Sequence, residues 1–118
     1  MLELFRIWDP ENKKMTYFDS DMPYYLGMDG QVYDKNTELV KGVLVMPYVG
    51  KKDMDRTRIY EGDILRGAGV TRMEVVWSQM MAGYMLQYRN GPNIGMKVPF
   101  NKLEEVMVVC GNIHEEII

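Results

Sequence analysis

The chain contains one cysteine and one histidine, and they lie four residues apart as Cys110 and His114. A thiol and an imidazole form a nucleophilic pair only when the two side chains converge. Even spacing along a strand would place them on one face, but Gly111-Asn112 between them is expected to break the strand. We therefore expect Cys110 to be a small buried hydrophobic residue and His114 to lie at the surface.

A metal centre is the next chemistry to consider. A structural zinc ion needs four nitrogen or sulfur ligands, or three with water, and one Cys and one His cannot supply them without carboxylates or a second chain. An oxygen-only Mg²⁺ or Ca²⁺ site could draw on Asp19, Asp21, Asp29 and Asp34. Their spacing fits no calcium-binding loop, and Asp is a common turn residue. We therefore predict neither a metal ion nor another cofactor.

Two acidic pairs, Glu61 with Asp63 and Glu104 with Glu105, could serve acid–base catalysis if burial raised the pKa of one carboxyl group. The first pair is better explained as a turn before a strand, because Gly62 permits a positive φ and Asp63 can accept bonds from nearby backbone N–H groups. The second pair is better explained as a capped helical turn. The sequence contains no phosphate-binding loop, nucleophile elbow or dinucleotide fingerprint. We therefore predict no catalytic residue.

Basic and aromatic residues are interleaved in the central third of the chain. The cations are Lys51, Lys52, Arg56, Arg58, Arg66 and Arg72, and the nearby aromatic residues are Tyr48, Tyr60, Trp77, Tyr84 and Tyr88. Single-stranded nucleic acid binds to such mixtures, because cations follow the phosphates and rings stack on the bases. The candidate nucleic-acid-binding residues are Lys51, Lys52, Arg56, Arg58, Tyr48 and Tyr60. The competing interpretation is a set of core aromatic residues beside a solvated loop, since four carboxylates lie among the six cations.

Twelve methionines are many for 118 residues, and two of them are adjacent as Met80-Met81. Methionine fills irregular cores and also lines adaptable contact surfaces. A Met-rich core is the first interpretation. A surface for self-association, helped by the apolar Ile117-Ile118, is the second.

The elements that must position these residues are short and separated by frequent turn signals, which is typical of a mainly β fold. Candidate strands cover residues 4–8, 14–18, 24–28, 31–33, 43–46, 63–66, 72–77, 84–89 and 106–110. Asp29-Gly30 is the strongest hairpin signal, and it predicts a type I′ turn with positive φ at both positions. Alternation predicts that Tyr84, Leu86 and Tyr88 share one face of a strand.

One short helix is predicted near residues 101–105, because Asn101 and Glu104 have the spacing of a capping box. Together these elements predict one domain over residues 1–118. Residues 1–50 are expected to form β-hairpins, and residues 51–118 are expected to form a barrel-like half of the SH3-like type, by fold analogy alone.

The bulk composition limits the possible classes of protein. A length of 118 residues fits one domain. The net charge of −3 is unlike that of a dedicated duplex-DNA binder, which gains most of its affinity from phosphate neutralisation. The N-terminal residues lack the pattern of a signal peptide, and no apolar run approaches the ~20 residues of a membrane helix. We expect a cytoplasmic protein with no membrane partner.

Three segments read together resemble a known family. They are residues 5–9 (FRIWD, followed by Lys14-Met15), residues 48–53 running on to 59–65 (IYEGDIL), and residues 109–115 (VCGNIHE). Their order and spacing are similar to those of the YopX-like family of bacteriophage and prophage proteins. The chain departs from the family at Asp55-Arg56, where family members often carry Asn-Gly. The resemblance implies a mainly β fold, a phage or prophage origin and self-association, but no established activity.

The signature residues of these segments are expected to be structural, and they are Trp8, Asp9, Tyr60, Glu61, Gly62, Asp63, Gly111 and Asn112. The leading functional hypothesis is a non-enzymatic phage or prophage accessory protein of the bacterial cytoplasm that works by binding and forms a homo-oligomer. A single-stranded nucleic-acid-binding module is the alternative. A small metal-dependent hydrolase is the least favoured alternative.

Overall fold

The structure is a computed structural model that describes residues 5–17 and 23–115, and the chain divides into two compact units. The first unit spans Met1–Pro47 and the second spans Tyr48–Ile118. The architecture is mainly β, with a curled sheet in the form of half a barrel, so the predicted fold class is confirmed. The SH3-like barrel of the C-terminal half stays a prediction.

The first unit contains five strands and the beginning of a sixth. They are β1 (Phe5–Asp9), β2 (Lys14–Tyr17), β3 (Tyr24–Leu26), β4 (Val32–Asp34), β5 (Leu39–Val40) and β6 (Leu44–Lys52). β1 pairs with β2 and with the Leu44–Pro47 part of β6, while β3, β4 and β5 form a meander. Phe5, Ile7 and Val32 form the buried core of this unit.

The second unit contains the rest of β6 together with β7 (Arg58–Tyr60), β8 (Asp63–Arg66), β9 (Arg72–Ser78), β10 (Gly83–Tyr88), β11 (Lys97–Val98), a 3₁₀ helix (Leu103–Val106) and β12 (Val108–Asn112). Five of these strands form an antiparallel sheet in the order β11-β10-β9-β8-β12. Leu65, Met73, Val75 and Leu86 point from this sheet into the main core, where Tyr84 and Tyr88 pack against them. The predicted shared face of Tyr84, Leu86 and Tyr88 is therefore confirmed.

The turn between β3 and β4 differs from the predicted type I′ turn. Only Gly30 has a positive φ, at 81°, whereas Asp29 does not. The Asp29 carboxylate instead accepts bonds from the Tyr33 hydroxyl and from the Gln31 N–H at 3.0 Å, and both bonds lower the pKa of Asp29. The bond to Asp29 also raises the pKa of Tyr33. These side-chain bonds stabilise a longer turn that ends on a left-handed glycine.

The predicted capping box is wrong, although a short helix does form near the predicted position. Asn101 and Lys102 both have positive φ, and no side-chain bond caps the 3₁₀ helix. The Glu104 side chain is buried, and its Oε2 lies 3.9 Å from Nζ of Lys51. The helix begins after a left-handed pair of residues rather than after an Asn cap.

Several predicted strand boundaries are also wrong, and two of them have a clear physical cause. β6 continues past Pro47, because its pairing partner changes there from β1 to β7 and the missing N–H of proline interrupts neither ladder. β12 continues through Gly111 and Asn112, and a bulge between Val109 and Gly111 absorbs the extra residue. Short strands β5, β7 and β11 had no sequence signal of their own.

The loop between β6 and β7 is built around the buried carboxylate of Asp53. Its Oδ1 accepts bonds from the N–H groups of Asp55 at 2.9 Å and Thr57 at 2.8 Å, and its Oδ2 accepts one from Val109 at 2.8 Å. The Met54 N–H also donates to the Met107 carbonyl at 2.9 Å. The carboxylate therefore fixes the loop conformation and attaches the loop to the start of β12.

We predict that Asp53→Ala lowers the free energy of unfolding by about 2–4 kcal/mol, because partly buried N–H groups then lose a charged acceptor. Urea unfolding followed by tryptophan fluorescence measures the change. Asp55→Ala is the matched control, since the Asp55 side chain is exposed, and it should change stability by less than about 0.5 kcal/mol. Equal effects of the two substitutions would contradict the role of Asp53.

Candidate functional site

The signature segment 59–65 forms a tight connection between β7 and β8. Gly62 has a φ of 86°, and Oδ2 of the fully buried Asp63 accepts a bond from the Tyr60 N–H at 2.8 Å. Both predictions for Gly62 and Asp63 are confirmed. The Gly62 N–H donates to the Val75 carbonyl, and the Gly62 carbonyl accepts from the Ile113 N–H, each at 2.9 Å. The backbone bonds of Gly62 thus connect this segment to β9 and to the residue that follows β12.

The C-terminal signature residues form a second such connection. Oδ1 of the buried Asn112 accepts bonds from the N–H groups of His114 at 2.9 Å and Glu115 at 2.8 Å. Gly111 pairs with Ile64 on the far side of the bulge that contains Cys110. Cys110 and His114 are both half-buried, so Cys110 is less buried than predicted.

The N-terminal signature residues lie in and after β1. Trp8 is buried and stands opposite Met15 and Leu44 in the two neighbouring strands. The Asp9 carboxylate accepts bonds from Asn12, through its side-chain amide at 2.7 Å and its N–H at 3.3 Å, and from the Glu11 N–H at 3.0 Å. These bonds, with the Asn12 amide first, hold the pKa of Asp9 below its ordinary value.

The remaining signature carboxylate, Glu61, contacts Tyr84. Burial, the negative charge of Glu61 and a hydrogen bond to Glu61 together raise the pKa of Tyr84 to about 12. The Tyr84 ring also packs edge-on against Trp77, with ring centroids 5.1 Å apart. Glu61 thereby orients an aromatic pair at one end of the β9–β10 hairpin.

The predicted cations lie around the β6–β7 hairpin, and we call Lys51, Lys52, Arg56 and Arg58 the basic hairpin. Lys52 and Arg58 stand directly opposite each other in the two strands, and the exposed Arg56 has a φ of 65° in the loop between them. Lys51 pairs with a residue of its own chain, because its Nζ lies 3.9 Å from Oε2 of the buried Glu104. The same Nζ lies 5.7 Å from the ring centroid of Phe100.

The two tyrosines of the predicted nucleic-acid site differ in exposure. Tyr60 is only 4% exposed, and its ring packs at 5.7 Å against that of Tyr48. A buried ring offers no free face to a nucleobase, so the assignment of base stacking to Tyr60 is corrected. Tyr48, the other ring of this pair, is half-buried.

A second surface lies at the turn between β9 and β10, and we call Trp77, Met80 and Met81 the apolar tip. These side chains are 48%, 93% and 63% exposed. The turn is fixed by the Met81 N–H, which donates to the Ser78 hydroxyl at 3.3 Å, and by Ala82 in a left-handed conformation with φ 52°. The Met80-Met81 pair signalled this surface in the sequence, whereas the sequence pattern grouped Trp77 with the aromatic residues near the central cations.

Several sequence predictions fall outside the described residues. Asp19 and Asp21, considered for a metal site, and Ile117-Ile118, considered for self-association, lie there. Within residues 5–17 and 23–115, no three His, Cys, Asp or Glu side chains are grouped to hold a metal ion. No helix in that part of the chain has the length and apolar character needed to span a membrane.

Comparison with known proteins identifies one family. A family model described as YopX protein matches residues 4–116, which is nearly the whole chain. No curated protein matches the chain.

We predict that Glu61→Gln lowers the pKa of Tyr84 from about 12 but leaves it above 10, because burial is the largest cause of the shift. Ultraviolet absorbance of tyrosinate during an alkaline titration measures this, and Tyr84→Phe identifies the transition. Since the folded-state pKa is raised, the stability linked to Tyr84 is complete below pH 10 and is lost as the pH rises towards 12. A Tyr84 transition that does not move in Glu61→Gln would contradict this contact.

Proposed function

We propose that this chain, which belongs to the YopX protein family, is a non-enzymatic phage or prophage accessory protein of the bacterial cytoplasm that binds a second copy of itself. The observation that supports this best is the apolar tip. Trp77, Met80 and Met81 place two flexible thioethers beside an aromatic ring on one hairpin. Such residues are enriched at protein–protein interfaces, where methionine adapts to the partner.

The edge of β10 next to the apolar tip supports a second copy as the partner. β11 pairs only with Leu86 and Gln87, so the Gly83–Met85 part of β10 has a described strand on one side alone, which is β9. An unpaired edge is a template for strand addition. Two copies related by a two-fold axis can pair these edges antiparallel and bury both apolar tips in one self-complementary contact.

We predict that Met80→Ser/Met81→Ser raises the dissociation constant of the dimer at least about tenfold, because each buried methionine contributes roughly 1.5–3 kcal/mol. Sedimentation velocity over a concentration series measures it. Met28→Ser/Met54→Ser is the matched control, since both methionines are exposed and lie away from the β9–β10 hairpin in the chain. A wild-type protein that stays monomeric at the highest concentration would contradict the proposal.

Single-stranded nucleic-acid binding by the basic hairpin is the second candidate function. Its support is the placement of charge, because the carboxylates of Asp53 and Asp63 are buried while Lys52, Arg56 and Arg58 are exposed. Two of the acidic residues that offset these cations in the sequence therefore do not line the surface beside them. The SH3-like barrel belongs to this proposal, since small barrels commonly bind single strands.

We predict that Lys52→Gln/Arg58→Gln reduces the slope of log affinity against log salt by about 1.4, because each phosphate of a single strand that is no longer neutralised removes about 0.7. Fluorescence anisotropy of a labelled oligonucleotide at low salt measures the slope. Lys35→Gln/Lys41→Gln removes the same charge from exposed positions elsewhere and should leave the slope unchanged. Identical slopes for both variants would remove the basic hairpin from the site.

A further inference from the structure

Three arginines stand side by side on the second unit's sheet, two within strands and one directly after β10, and we call Arg66, Arg72 and Arg89 the arginine row. Arg66 of β8 is directly opposite Arg72 of β9. The pairing of Tyr88 with Met73 places Arg89 opposite Arg72, and the Arg89 N–H donates to the Arg72 carbonyl at 2.9 Å. Neighbouring strands lie about 4.8 Å apart, so the three backbone positions span roughly 10 Å.

The alternation of the strands puts the arginine row on the face opposite the core. The preceding or following residue in each strand, which is Leu65, Met73 or Tyr88, packs in the hydrophobic core. Successive side chains point to opposite faces, so all three side chains leave the sheet on its outer side, where Nη1 of Arg89 is buried. Arg66 is exposed, and Arg72 and Arg89 are half-buried.

Two of these arginines, Arg66 and Arg72, have no acidic residue directly beside them in the sheet. Val108 of β12 is the next residue beyond Arg66, and Glu74, two residues along β9, is the nearest acidic position on the same face. Neither Arg66 nor Arg72 forms an ion pair with a residue in the described part of the chain. Like charges directly opposite each other destabilise a sheet, and a bound anion would offset this repulsion.

The backbone that carries the row is fixed. Oδ1 of Asn90 accepts a bond from the Arg72 N–H at 3.2 Å, while its Nδ2 donates to the Val70 carbonyl. Nη1 of Arg72 donates to the Thr71 carbonyl at 3.1 Å. One asparagine thus ties the β8–β9 turn to the end of β10, so the backbone of the row requires little ordering when a ligand binds.

The arginine row is continuous with the loop of the basic hairpin. Val108 pairs with Arg66 on one edge of β12, whereas Val109 N–H and the Met107 carbonyl bond to Asp53 and Met54 on the other edge. The order across the sheet is therefore β10, β9, β8, β12 and then the loop that carries Arg56. We call the positions from Arg89 to Arg56 across this order the band. At about 4.8 Å per strand, the band is roughly 20 Å long, which is longer than one phosphate group.

We propose that the arginine row binds phosphate groups of a single-stranded nucleic acid as part of this band. The guanidinium fork matches phosphate oxygens in a bidentate geometry, which lysine cannot provide. A band with several cations favours a strand with several phosphates over a single small anion. This inference rests on the second function proposed above and adds three residues that the hairpin alone does not include.

The test compares Arg66→Gln/Arg72→Gln with the charge-matched control Lys35→Gln/Lys41→Gln in anisotropy titrations with a labelled single-stranded oligonucleotide at several salt concentrations. The arginine variant should lower the salt slope by about 1.4, and the control should not change it. Arg66→Lys/Arg72→Lys keeps both charges, so it should retain the slope but bind more weakly. If the double variant unfolds, Arg66→Gln alone, at an exposed position, should lower the slope by about 0.7.

The outcomes separate the two proposals. Wild-type protein that does not bind the oligonucleotide overturns both the nucleic-acid function and the arginine row. Wild-type binding that persists unchanged in Arg66→Gln/Arg72→Gln overturns the row and leaves the basic hairpin in place. If pyrophosphate competes as well as the oligonucleotide at equal phosphate concentration, the row binds a small anion instead. If a duplex binds as tightly as the single strand, the single-strand assignment is contradicted.

Discussion

Three backbone N–H groups donate to one buried carboxylate at the start of the β6–β7 loop, and two of them belong to the loop itself while the third belongs to Val109. Buried N–H groups must find acceptors, and a loop cannot supply them from a strand ladder. Asp53 meets this requirement over a sequence separation of 56 residues. It therefore fixes the position of Arg56 relative to β12, and through β12 relative to Arg66. The proposed contact between the basic hairpin and the arginine row therefore depends on this one side chain.

Side-chain oxygens accept backbone bonds at two further strand ends. Asp63 and Asn112 repeat the role of Asp53, one at the β7–β8 connection and one at the end of β12. Short strands leave many backbone groups at their ends, and side-chain oxygens at these ends stabilise a fold that has little helix. As a consequence, part of the chain's negative charge is internal. The net charge of −3 therefore understates how basic the sheet's outer face and the β6–β7 hairpin are.

The sequence predicted those features that depend on a few neighbouring residues. The bounds of β8 and the role of Asp63 as an acceptor for a nearby backbone N–H followed from one short segment. Features set by distant partners could not be predicted. Nothing local shows that Tyr60 is buried while Tyr48 is half-buried, since both flank the same hairpin. The arginine row depends on the register of three strands. A shift of one residue in any of these strands would move the arginine of that strand to the other face of the sheet.

The central claim is that this protein works through its surfaces and that the edge of β10 beside the apolar tip meets a second copy. The backbone N–H of Tyr84 reports on this edge directly, because Tyr84 pairs with Trp77 on one side and has no described strand on the other. Hydrogen exchange of the Tyr84 amide, measured at low and high protein concentration, is the most direct test. We expect this exchange to slow as concentration rises while exchange in β8 does not change. Exchange at Tyr84 that is independent of concentration would contradict the proposal.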